Sequence, residues 1–252
     1  MTGFQKMAKS FLKNHINNMK HLKEIKNYIY DSQTTFFGEG NVVGFGDDSF
    51  YLKELDKNEA NRIIRENHYS KKIYNGSYIH LGVWMNGDLV GALQYGYAMN
   101  PASQNGVVSD TKIDEYLELN RMWLDDIAPK NSESKAISYS IKYIKRKYPK
   151  IKWIQSFADE RCECFGVVYQ ACSFDYYGEH TSSFWELDGE TFHNSIKTSE
   201  KAGPRGYKLL NDPKNKDRVI KHKLRQFRYI KFLDRRCRKK CLLKKQQYPK
   251  RS

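Results

Sequence analysis

Glu118-Leu-Asn-Arg-Met-Trp-Leu-Asp-Asp126, Ala128-Pro-Lys-Asn-Ser-Glu-Ser-Lys135 and Ile151-Lys-Trp-Ile-Gln-Ser-Phe-Ala-Asp159 follow one another in this chain. Their patterns predict a strand over 116–124, a polar loop, a helix from Ser132 to Tyr148 stopped by Pro149, and a strand over 151–158. A helix over 160–172, carrying Gly166-Val-Val-Tyr169, and a strand region over 174–187 complete the unit. Ionisable and polar groups thus collect at strand ends and helix starts, where an α/β site places its chemistry.

Working outward, Asp56 with Glu59 three residues later predicts a capped helix running to about Asn67, and His68 follows it. Tyr78–Met85 and Asp88–Met99 are apolar runs joined by Asn86-Gly87, a hairpin signal. The order helix, hairpin, strand, helix, strand, helix, strand predicts a mixed α/β (α+β) sheet rather than a doubly wound one. Apolar residues at helical spacing over 4–30 predict a basic amphipathic helix at the N-terminus. Three regions are expected: a basic helix in 1–35, a catalytic domain in 36–195 and a basic extension in 196–252.

The net charge of +15 is unevenly spread. Residues 201–252 hold 20 Lys and Arg against 3 acids, whereas 31–200 carry a balance of −7. A mildly acidic domain between basic ends suits a polyanionic partner. Phe227-Arg-Tyr-Ile-Lys-Phe-Leu233 predicts a strand and Asp234–Lys245 a basic helix. Arg225, Arg228, Lys231, Arg235, Arg236 and Arg238 are the candidate phosphate contacts, interleaved with aromatics for stacking. Five cysteines without framework spacing suit free thiols in a reducing cytoplasm. No apolar run approaches the roughly 20 residues of a membrane span, so no membrane partner is expected.

Several residues carry both a structural and a chemical reading. Asn131, Ser132, Ser134 and Lys135 stand at a helix N-terminus, where they can cap the helix or hold a phosphate. Arg121, in an apolar strand, needs an anionic or carbonyl partner, with Asp125 or Asp126 as structural choices. By strict alternation Glu118 and Arg121 point to opposite faces. Asp159 can cap a helix or act at a strand end, Tyr169 can fill a core or act as an acid, and His68 can serve as a base, a metal ligand or a helix-end charge.

The element order resembles the GNAT (GCN5-related N-acetyltransferase) fold, in which the loop after the fourth strand holds the acyl-CoA pyrophosphate. The usual glycine-rich loop is replaced here by Ala128-Pro-Lys-Asn-Ser-Glu-Ser-Lys135. With Asn67-His-Tyr-Ser70, Glu118–Asp125, Ser156-Phe-Ala-Asp159 and Gly166-Val-Val-Tyr-Gln-Ala171, that loop resembles the Mom family of phage DNA-modification proteins over residues 55–190. The resemblance implies transfer of a small group, of carbamoylmethyl or methylcarbamoyl type, to N6 of adenine in DNA, guarding it from restriction. It implies His68, Arg121, Asp159 and Tyr169 as active residues, an acetyl-CoA-type donor held by Ser132 and Ser134, and a duplex with the adenine extruded. Iron is a further cofactor it allows, although no ligand spacing in the sequence supports a metal. Two other readings stay open: an N-acyltransferase for a protein or small amine, and a non-enzymatic nucleic-acid-binding module.

Overall fold

The computed structural model describes residues 27–31, 40–162 and 165–249. The N-terminal helix expected over 4–30 lies mostly outside them, and its last residues, Tyr28–Tyr30, form a strand, β1. Alternating aromatic and β-branched side chains favour that outcome, and the Tyr28 ring packs edge-on against Phe45 at 5.0 Å.

Nine further strands follow among the described residues: β2 (Val42–Gly46), β3 (Phe50–Glu54), β4 (Ser77–Met85), β5 (Asp88–Gly96), β6 (Tyr116–Leu124), β7 (Trp153–Asp159), β8 (Asp175–Leu187), β9 (Glu190–His193) and β10 (Ile220–Phe232). They form one sheet in the order β1-β2-β3-β4-β5-β6-β7-β10-β8-β9. Every pairing is antiparallel except β6 with β7. Six α-helices accompany it among the described residues: α1 (Lys57–Asn67), α2 (Ser132–Lys147), α3 (Val167–Ala171), α4 (Asn194–Thr198), α5 (Pro204–Asn211) and α6 (Arg235–Lys239). This mixed, mostly antiparallel sheet flanked by helices is the α/β (α+β) architecture expected from the element order.

Local chemistry accounts for the elements. Asp56 Oδ1 accepts from the backbone N–H groups of Asn58 and Glu59 and so starts α1. Glu59 turns instead to Arg62, so the reciprocal half of the capping box is not formed. Asn86 and Gly87, at φ 52° and 96°, close the hairpin with the positive φ angles such a turn requires. The two helical layers cover opposite faces. Gln94 reaches Asn61 of α1 at 2.9 Å, while its neighbour Tyr95 meets Ser140 of α2 at 2.5 Å.

Three expectations change in the second half. The helix over 160–172 is a short turn (Glu160–Cys162) followed by α3, because Gly166 sits at φ 73° and Arg161 folds back onto Asp159. The basic helix over 234–245 stops at Lys239. Beyond it the chain runs extended, and Cys241 and Gln246 bridge to Val108 and Tyr176. The segment 196–252, expected as a separate extension, supplies β10, which pairs β7 on one edge and β8 on the other. Phe227, Tyr229 and Ile230 are fully buried there. Side chains matching both neighbours give this strand the place that its aromatic and β-branched composition suits.

Candidate active site

The parallel pairing of β6 and β7 runs only from Tyr116↔Trp153 to Glu118↔Gln155, although both strands continue. Past that rung the strands part and open a wedge in the middle of the sheet. At the same point the β5–β6 register slips: Tyr95 opposes Leu119 and Gln94 opposes Arg121, leaving Asn120 as an extra residue. A β-bulge of this kind re-aims side chains. It shifts the alternation by one, so Glu118 and Arg121 share the face away from Leu117 and Leu119. Strict alternation had put them on opposite faces.

Glu118 therefore stands at the mouth of the wedge. Its oxygens accept from Gln155 Nε2 at 2.9 Å and Asn120 Nδ2 at 3.3 Å. Burial raises its carboxyl to about 7, against the pull of those two amides and of the Arg121 and Arg228 guanidinium groups. A carboxyl poised near neutrality suits proton transfer at physiological pH. Sequence alone assigns Glu118 no role. The available signal was a lone acid alternating with Leu117 and Leu119.

Arg121 donates from Nε to Lys72 O at 3.0 Å and from Nη1 to Asn120 O at 2.6 Å. No carboxylate pairs with it among the described residues, so the ion pair expected with Asp125 or Asp126 is not formed. His68 caps the end of α1 and is buried. Its Nδ1 accepts from the Ser70 backbone N–H at 3.1 Å and lies 2.9 Å from Ser70 Oγ. The ring proton therefore sits on Nε2, which makes His68 a donor. Burial, then the Arg121 and Arg161 charges, lower its pKa to about 4 against the opposite effect of Asp159, so it is neutral at pH 7.

Asp159 belongs to the same face, and it is buried in a fork with Arg161: Oδ2 lies 2.6 Å from Nη2, and Oδ1 accepts from the Arg161 backbone N–H at 3.0 Å. Tyr69 donates to Oδ2 at 3.4 Å, and the Arg161 guanidinium lies over the Tyr69 and Phe184 rings. The structure thus joins His68, Arg121 and Asp159, and adds Tyr69 and Arg161. It sets Tyr169 apart. Ser156, three residues before Asp159 on the regularly paired β7, points through the sheet and donates to Tyr169 Oη at 2.9 Å. Tyr169 is buried in the first turn of α3, packed at a tilt against the Phe174 and Tyr229 rings, on the α2 side.

The loop before α2 borders a cleft of about 610 Å³. Asn131 takes φ 74° and makes no side-chain cap, while the Ser132 and Ser134 positions line the opening. Uncapped first-turn amides and the positive end of a long helix suit a phosphate. Ser134 Oγ donates to Asn131 O at 2.9 Å. Lys135 lies 3.4 Å from Asp47 and 4.6 Å from the Phe50 ring centroid, at the cleft wall. These residues fit the pyrophosphate end of an acyl-CoA. They do not fit iron: among the described residues no three His, Cys, Asp or Glu side chains converge, His68 Nδ1 faces Ser70, and Asp159 faces Arg161.

Four of the six candidate DNA contacts have internal partners. Arg225 pairs with Glu160 and Glu179, Arg236 with Asp234 and Arg238 with Asp175, while Lys231 donates to the carbonyls of Cys172 and Ser173. Arg235 is exposed. Arg228 lies over Phe157, on the Glu118 face. No helix among the described residues is long and apolar enough to cross a membrane.

A split sheet that brings a carboxyl and a partly buried arginine together beside an uncapped helix terminus suits group transfer. The chain belongs to the Mom protein family, whose sequence profile matches residues 49–250. It is 47% identical over 232 residues to the methylcarbamoylase Mom of Escherichia phage Mu, covering 90% of this chain and 95% of that protein. Solved acetyltransferases superpose more loosely. The ribosomal-protein-S5-alanine acetyltransferase of Vibrio fischeri matches with a TM-score of 0.46 and 11% identity over 77% of this chain and 98% of that one. A ribosomal L7/L12 alpha-N-protein acetyltransferase in complex with coenzyme A matches with a TM-score of 0.43 and 10% identity, over 75% and 96%.

Proposed function

We propose that this protein transfers a small acyl-derived group, of carbamoylmethyl or methylcarbamoyl type, to N6 of adenine in DNA, in the cytoplasm of a phage host, and so shields that DNA from restriction. The observation that carries the reading is the bulge at Asn120, which brings Glu118 and Arg121 onto one face where β6 and β7 part. An exocyclic amine is a weak nucleophile and must lose a proton as it attacks. Glu118 is the base that accepts it, because its carboxyl titrates near pH 7 and its face is the one shared with Arg121. Arg121 donates to negative charge developing on the transferred group. Neutral His68 can donate from Nε2 to orient it, and the Asp159–Arg161 fork holds Tyr69 over the same face.

A bound acyl-CoA supplies the activated group, with Asn131, Ser132, Ser134 and Lys135 around its phosphates. Tyr169, reached through Ser156 on the other side of the sheet, can give a proton from Oη on the donor side. The surplus of basic residues in 201–252 supports a polyanionic acceptor. Adenine N6 lies at the pairing edge, so the base leaves the stack to react. The test is deoxyadenosine from cells expressing the protein. A mass-shifted nucleoside that disappears with a folded Arg121→Ala variant supports the reading, and unmodified DNA from cells holding folded wild-type protein ends it.

A further inference from the structure

A second cleft, of about 360 Å³, opens on the Glu118 face of the sheet between Gly106, Val107, Tyr177, His180, Arg228 and Leu243. Its origin is a second break in pairing. Phe227 opposes Glu179 and Tyr229 opposes Tyr176, so Tyr177 and Gly178 together face Arg228. Gly178 takes φ 91° there. Such a bulge spreads the strands and turns Arg228 towards the gap. Arg228 pairs across the sheet with Phe157, its guanidinium 5.1 Å from that ring, and His180 meets the same ring edge-on at 5.3 Å. Arg228 makes no hydrogen bond or ion pair among the described residues, although it is partly buried and within electrostatic reach of Glu118.

A desolvated guanidinium stacked on an aromatic ring, with its donors unspent, makes a flat platform with a polar edge. That is the form in which proteins hold an unstacked base. Val107 and Leu243 give apolar walls. We infer that this cleft receives the acceptor nucleobase once it has left the duplex, its edge against Arg228 and its exocyclic amine towards Glu118. This rests on the adenine-modifying reading above.

Gly106 provides the test, because a Cβ built there meets no atom within 4 Å. An alanine there is accommodated freely, and because Gly106 lines the cleft, larger side chains at this position should narrow it. Adenine adduct accumulated after induction should hardly change in Gly106→Ala, fall about ten-fold or more in Gly106→Leu and vanish in Gly106→Trp. Affinity of the purified full chains for a short unmodified duplex, and their melting temperatures, should stay at the wild-type level. Arg228→Lys, which keeps the charge and loses the flat fork, should lower the adduct without lowering duplex affinity. Wild-type adduct levels in Gly106→Trp overturn the inference alone. So does a loss of duplex affinity in step with the adduct, which would make the cleft a backbone site. No adduct from wild-type protein overturns the adenine reading together with it.

Discussion

Replacing Glu118 by Gln separates a catalytic carboxyl from a structural one. Burial holds the Glu118 carboxyl up to about 7, against about 4.3 in an unfolded chain. A pKa raised on folding means that the native state keeps a proton the unfolded chain has released. Stability is therefore full below about pH 4 and is lost as pH rises to about 7, levelling off above. The difference amounts to about 3–4 kcal/mol, or a fall in Tm on the order of 10 °C for a chain of this size. Glu118→Gln removes the charge and with it this decline, so its Tm should vary far less between pH 4.5 and 8. The rate should respond in the opposite sense. Wild-type kcat/KM should climb about ten-fold per pH unit below about 7 and then flatten, as expected for one ionising base, whereas Glu118→Gln should be about 10²–10⁴-fold slower and lack that limb. Thermal melts across pH and initial rates with a fixed DNA substrate read both quantities. A Glu118→Gln enzyme within two-fold of wild type, or one that keeps the rising limb, refutes the assignment.

Asp159→Asn breaks a buried charge pair and should cost about 3–5 kcal/mol in denaturant unfolding. Its residual activity should still rise with pH towards 7, because Glu118 remains; loss of that limb would return the base to Asp159. Ser134→Asp adds an acid to the first turn of α2, which should stabilise the helix by about 0.3–1 kcal/mol. It should at the same time raise KM for the acyl-CoA donor, and unchanged donor kinetics would remove the phosphate from this terminus. Phe227→Ala empties a fully buried site in β10 and should cost about 3–5 kcal/mol. A loss below about 1 kcal/mol would be that of a surface strand.

Much of the fold was legible because local rules carried it. Asn86-Gly87 dictated the hairpin, Asp56 capped α1 at its expected residue, and β6 appeared over the predicted 116–124. What escaped depended on long-range pairing. The aromatic run around Phe227 was a visible strand, yet nothing local says that it inserts between β7 and β8. The bulge at Asn120 was equally hidden, since one extra residue in a ladder leaves no periodic trace. Strict alternation consequently separated Glu118 from Arg121. Of the site, His68, Arg121 and Asp159 do meet, but their roles depend on neighbours that sequence does not show. Ser70 takes the His68 lone pair, and Arg161 occupies the Asp159 carboxylate. Tyr169 was legible as a residue and not as a position, because the face it occupies follows from the alternation of Ser156 and Asp159 along β7.

The central claim, that the split between β6 and β7 delivers a group to an adenine amine, is tested most directly by nucleoside mass spectrometry of DNA from cells making the wild-type chain. The account predicts a deoxyadenosine of increased mass whose fragmentation keeps the added group on the base, absent from cells making Glu118→Gln. Unmodified deoxyadenosine beside abundant folded wild-type protein, or the added mass on a protein amine instead, would contradict it.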